Sequence, residues 1–147
     1  YRITYAPRPS DPPLPADRES GLYFNLLDIP PKPADAEGKN LLQFAVRTRI
    51  KLFFRPEGLP GKAADAAGAL QWTAVHGALL LHNPTAYHVT LASVTTPDGT
   101  SLAADMVLPF GTLRMPLPSR TVAPPHVTYS WLDDYGASRK AMATVSP

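Results

Sequence analysis

The stretch NLLQFAVRTRIKLFFRP, residues 40–56, alternates with period two. Leu42, Phe44, Val46, Ile50, Leu52 and Phe54 fall on one face, with Thr48 among them. Gln43, Ala45, Arg47, Arg49, Lys51, Phe53 and Arg55 fall on the other. Successive side chains of a β-strand point to opposite faces, so this pattern predicts a strand. It is longer than the usual ~5–6 residues. Bulky apolar groups on one face and cations on the other suit two situations. The stretch can be a core strand with a solvated outer face, or an edge with which another chain pairs. Alternation alone fits both.

Upstream, residues 21–29 (GLYFNLLDI) form a second strand-like run, which Pro30 and Pro31 end because proline cannot donate to a ladder. A polar loop over 32–39 then makes 21–55 a hairpin. Residues 1–5 (YRITY) read as a short strand end, and the five prolines in 6–15 demand an extended loop. With Tyr1 opening directly into strand-like sequence, no signal peptide is expected.

Downstream, residues 56–69 (PEGLPGKAADAAGA) are small, glycine-rich and weakly patterned, and a domain boundary is placed there. Short strand candidates follow at 70–75, with Trp72 inward, then at 78–82, 87–94, 105–108, 113–116, 127–132 and 142–145. Asn83-Pro84-Thr85 and Pro97-Asp98-Gly99 are the turn signals between them. This spacing predicts an all-β sandwich. The expected organisation is 1–55, the C-terminal part of a first domain; 56–69, a linker; and 70–147, a second domain.

Composition narrows the function. The 147 residues contain no Cys, which excludes a disulfide scaffold and Cys-ligated zinc. The 18 prolines disfavour long helices. A formal charge of +2 is small, and the basic-aromatic run at 47–55 belongs to no nucleic-acid module, so no nucleic acid is expected. No apolar run approaches the ~20 residues of a membrane span, so no membrane insertion is expected. His76, His82, His88 and His126 lack the spacing of a metal site. Asp133 and Asp134, as strand neighbours, would point apart rather than share a proton. There is no GxSxG, P-loop or GxGxxG. No catalytic residue, metal or cofactor is expected, and the chain does not read as an enzyme.

Several motifs together resemble the periplasmic pilus chaperones, the PapD-like family. Leu14, Pro15, Asp17, Arg18, Glu19 and Ser20 match an LPxDRES pattern, and residues 29–32 match IPPK. Ile50, Lys51, Leu52, Phe53, Phe54, Arg55 and Pro56 match the end of the family's long strand. Asn83, Pro84, Thr85, Tyr87, Val89, Thr90, Leu91, Ala92 and Ser93 match NPTxYxVTLAS; Met106, Val107, Pro109 and Phe110 match MVxPF. Residues 133–136 match NDYG with Asp133 in place of Asn, and Gly21 stands where a larger apolar residue is usual. These motifs run in order from Leu14 to Gly136.

The resemblance implies immunoglobulin-like β-sandwiches in a two-domain chaperone arrangement. The family's first domain begins with further strands that this sequence lacks, so that domain is expected to be incomplete; the family's cleft arginine lies on one of them. Lys51 matches the family's cleft lysine, which binds the carboxylate ending a pilus subunit. Leu42, Phe44 and Val46 would fill the groove of a subunit lacking its own last strand; Ile50 joins this set, although its position and that of Leu52 also suit the domain's own core. Glu19, Arg55 and Asp134 match an interdomain ionic cluster. The implied partners are pilus subunits and an outer-membrane usher, and the implied compartment is the periplasm. The alternative function is an adhesion or carbohydrate-binding sandwich module, whose mark would be an exposed aromatic platform away from 40–55.

Overall fold

In the computed structural model, which describes residues 2–31, 44–118 and 123–147, the alternating stretches become strands and the proline-rich ones do not. Among the described residues the order begins with β1 (Ser20–Asp28) and β2 (Val46–Phe54), then α1 (Ala63–Ala66) and a 3-10 turn (Ala67–Ala69). It continues with β3 (Gln71–Val75), β4 (Ala78–His82), β5 (Val89–Thr95), β6 (Ser101–Leu102) and β7 (Met106–Val107). It ends with β8 (Thr112–Pro116), β9 (His126–Leu132) and β10 (Ser138–Thr144). The chain divides into two compact units, Ser20–Phe54 and the remainder.

The larger unit is a sandwich of two antiparallel sheets. One has the order β3-β4-β8; the other has β10-β9-β5-β6, with β7 also on β5. Trp72, Leu79, Leu81 and Met115 face inward from the first, and Val89, Leu91, Val94, Val127 and Tyr129 from the second. The Trp72 and Tyr129 rings meet across the sandwich with centroids 5.2 Å apart. Burying a side chain of this size contributes ~1.5–3 kcal/mol, so this row dominates the unit's stability. In β5 the alternation slips by one at Ala92: Leu91 faces Trp131, Ser93 faces Ser130, and the extra residue forms a bulge that keeps both Leu91 and Val94 inside.

The smaller unit is the β1–β2 hairpin. It is paired antiparallel through nine rungs, from Ser20↔Phe54 to Asp28↔Val46. One face carries Leu22, Phe24 and Leu26 beside Val46, Ile50 and Leu52; the other carries Tyr23, Asn25 and Leu27 beside Lys51, Arg49 and Arg47.

Several expectations need correction. Residues 2–5, expected as a short strand end, are not in a strand. Residues 56–69 contain α1 and the 3-10 turn, and Ala66 and Ala67 lie in the core of the larger unit. The Tyr129 hydroxyl donates to the Ala67 carbonyl at 2.8 Å, and the Tyr87 hydroxyl to the Gly61 carbonyl at 3.1 Å. Small alanines allow this close approach, and their low hydrophobicity hides it from a pattern search. The last strand is Ser138–Thr144 rather than 142–145, and β6 was not anticipated because two residues show no period. Within this chain Ile50 is 53% exposed and Leu52 half-buried, since two strands cannot cover their own apolar face.

Candidate functional site

Two arrangements stand out. The first surrounds Glu19, which immediately precedes β1 and whose side chain is only 2% exposed. Arg55, which immediately follows β2, donates from Nε to Glu19 Oε1 at 2.6 Å. The same guanidinium forks onto Asp134, at 2.9 Å and 3.1 Å. The other Glu19 oxygen accepts from the His88 backbone N–H at 2.7 Å and lies 3.2 Å from His88 Nδ1. The Arg55 guanidinium also lies 5.4 Å from the Tyr87 ring centroid. Thus the residues at which the chain leaves the larger unit and returns to it are joined by one ion pair.

The electrostatics follow from this geometry. Burial pushes the Glu19 carboxyl up, but the His88 and Arg55 donors together outweigh it and hold the group below its ordinary value. Arg55 is raised, first by the Asp134 fork and also by Glu19, against its partial burial. Asp133 is lowered by the Ala137 backbone N–H and by Arg139, whose Nε donates to it at 3.0 Å. It caps the turn that carries Tyr135, itself 95% exposed. Adjacent Asp133 and Asp134 therefore serve separate partners. A cavity of about 500 Å³ lies beside the cluster, lined among others by His88, Trp131, Tyr135 and Arg139. Both cations on its wall, Arg55 and Arg139, are already matched by carboxylates.

The second arrangement is β2 itself. Val46 is 58% exposed and Ile50 53%, both on one face of β2, and Phe44, two residues before the strand, is 69% exposed. Leu42, the remaining member of the expected row, lies outside the described residues. On the opposite face Arg47, Arg49 and Lys51 stand two residues apart, which is ~6.6–6.8 Å along a strand. The Arg49 guanidinium lies 3.6 Å from the Tyr23 ring centroid. Among the described residues no carboxylate pairs with Arg49 or Lys51, and β2 is laddered only to β1.

Sequence reasoning named Glu19, Arg55 and Asp134, which the structure brings together, and missed His88, which it weighed only as one of four histidines for a metal. A lone histidine carries no periodic signal. Its neighbour Tyr87 sits in the NPTxY motif, and that context is the one clue. Asn83 in the same motif is fully buried and donates to the Tyr87 and Leu108 carbonyls at 2.7 Å and 3.0 Å. It thereby fixes where His88 begins.

Comparison with known families decides what these parts belong to. Residues 65–143 match the family model described as "Pili assembly chaperone PapD, C-terminal domain". Residues 2–60 match "Pili and flagellar-assembly chaperone, PapD N-terminal domain". The chain belongs to the PapD-like pilus chaperone family. It is a chaperone family rather than an enzyme class. Among curated relatives, Chaperone protein LpfB of Salmonella typhimurium is 40% identical over 127 residues, 85% of this chain and 54% of that one. Chaperone protein FimB/FhaD of Bordetella pertussis is 33% identical over 149 residues, 99% of this chain and 60% of that one. The chain thus spans little more than half the length of these relatives.

Solved structures agree on the architecture. The YadV chaperone superposes with a TM-score of 0.75 at 33% identity, covering 92% of this chain and 66% of that one. The SafB chaperone of Salmonella enterica, solved in complex with the SafA pilin, is matched with a TM-score of 0.77 at 26% identity, covering 92% of this chain and 64% of that one. The fold is all-β and immunoglobulin-like, as the motifs implied.

Proposed function

We propose that the chain serves as a periplasmic chaperone for pilus subunits. It lends β2 to a subunit that lacks its own final strand, holds the subunit's terminal carboxylate at Lys51, and delivers the subunit to an outer-membrane usher. The observation that carries this reading is the exposed pair Val46 and Ile50 on a strand laddered along one side among the described residues, with exposed Phe44 just before it. Apolar side chains repeated at period two are costly in water and are what strand addition covers. Backbone hydrogen bonds supply affinity, and pockets for alternate side chains supply specificity. By sequence Leu42 extends the row. Family membership, and the pilin-bound SafB chaperone among the similar structures, support the same partner class.

Lys51 suits the anchor role because an ammonium beside a strand edge gives a carboxylate a charge-assisted hydrogen bond, roughly twice as strong as a neutral one. Glu19, Arg55 and Asp134 have a separate role, which is to tie together the two points at which the β1–β2 hairpin joins the rest of the chain. The reading is tested by co-purification of a pilus subunit from periplasm with each variant, alongside circular dichroism of the chain. Lys51→Ala is expected to abolish capture with the spectrum unchanged. Phe44→Glu is expected to weaken capture by placing a carboxylate in an apolar groove. Wild-type amounts of subunit with Lys51→Ala would remove the anchor role.

A further inference from the structure

Arg49 and Lys51 share one face of β2, and across the ladder they face different residues. Lys51 is directly opposite Tyr23, and Arg49 is opposite Asn25. Yet the Arg49 guanidinium does not stay over Asn25. It reaches diagonally to the Tyr23 ring, 3.6 Å from the centroid, which is the rung of Lys51. Diagonal neighbours on one face of an antiparallel pair lie within reach of a long side chain. The stack therefore sets the guanidinium over the residue that is Lys51's partner in the ladder. Among the described residues no carboxylate compensates Arg49 or Lys51.

We infer that Arg49 and Lys51 together form one carboxylate-binding site, with Tyr23 as the residue that positions Arg49. This rests on the reading of Lys51 as the anchor for a subunit's terminus, and it adds two residues to that site. A stacked guanidinium uses its face on the ring and leaves its N–H edge open for a bidentate carboxylate contact. A terminal carboxylate has two oxygens, so one can accept from Lys51 Nζ while the other accepts from Arg49. Tyr23 acts through its ring, and it also removes freedom from a long side chain before the ligand arrives.

The probe is a fluorescein-labelled ten-residue peptide of alternating valine and serine with a free C-terminal carboxylate, beside the same peptide as its amide. Binding of each to the chain is measured by fluorescence polarisation, and the acid-to-amide affinity ratio is the readout. The wild type is expected to prefer the acid by at least about tenfold, the scale of a hydrogen bond to a charged group. Arg49→Gln and Tyr23→Ala are expected to lower that ratio several-fold, Tyr23→Phe to keep it, and Lys51→Ala to bring it near one. A purely structural role for Tyr23 would weaken both peptides equally and leave the ratio unmoved. If Lys51→Ala collapses the ratio while Arg49→Gln and Tyr23→Ala leave it intact, the two-cation site is wrong and the anchor stands. If Lys51→Ala also leaves it intact, the anchor reading itself fails.

Discussion

Glu19 is the residue on which the larger unit's polar interior turns, because three donors converge on a carboxylate that is 2% exposed. Its folded pKa lies below the ordinary 4.5, so the stabilisation is complete above that value and is lost as pH falls through the folded value. The difference in denaturation midpoint between pH 7 and pH 3.5 should shrink in Glu19→Gln; an unchanged difference would mean the carboxylate is not the titrating group. Arg55→Ala leaves Glu19 and Asp134 without their guanidinium. Stranding a buried charge costs ~3–5 kcal/mol, and the 40% exposure of the Arg55 side chain brings the expected loss to about 2–3 kcal/mol by chemical denaturation. No measurable loss would uncouple the three residues. These three were legible through the motifs around them, whereas the fourth member, His88, was not: only the folded chain brings it onto a carboxylate 69 positions away.

At the scale of the element, the period-two run was the readable signal, and the strands it predicted at residues 21–29 and within 40–56 are present as β1 and β2. What alternation did not supply was the fate of each face. The same pattern permitted Ile50 to be core, and it is half-exposed because the hairpin has no second layer among the described residues. Alanine-rich 63–69 gave no signal because its core side chains, Ala66 and Ala67, are small and part of its contact is through the Ala67 carbonyl. A two-stranded sheet is marginal by itself in water. In the unbound chain, amide exchange of β1 and β2 should therefore be fast, while β4, β5 and β9 exchange slowly. Equal protection of the hairpin and the sandwich in a monomer would contradict this.

For the whole molecule, the two units should lose structure separately. Both tryptophans, Trp72 and Trp131, lie in the larger unit, so their fluorescence reports the sandwich alone. Far-ultraviolet circular dichroism reports both units, and should begin to fall at lower urea than tryptophan fluorescence. Superimposable curves would make the chain a single cooperative body. The central claim is that β2 completes another protein's sheet, and amide exchange of the chain with and without a bound pilus subunit tests it most directly. Strand addition predicts that alternate amides from Phe44 to Leu52 become strongly protected in the complex, with β4 and β9 unchanged. A subunit that binds while every β2 amide keeps its unbound exchange rate would contradict the account.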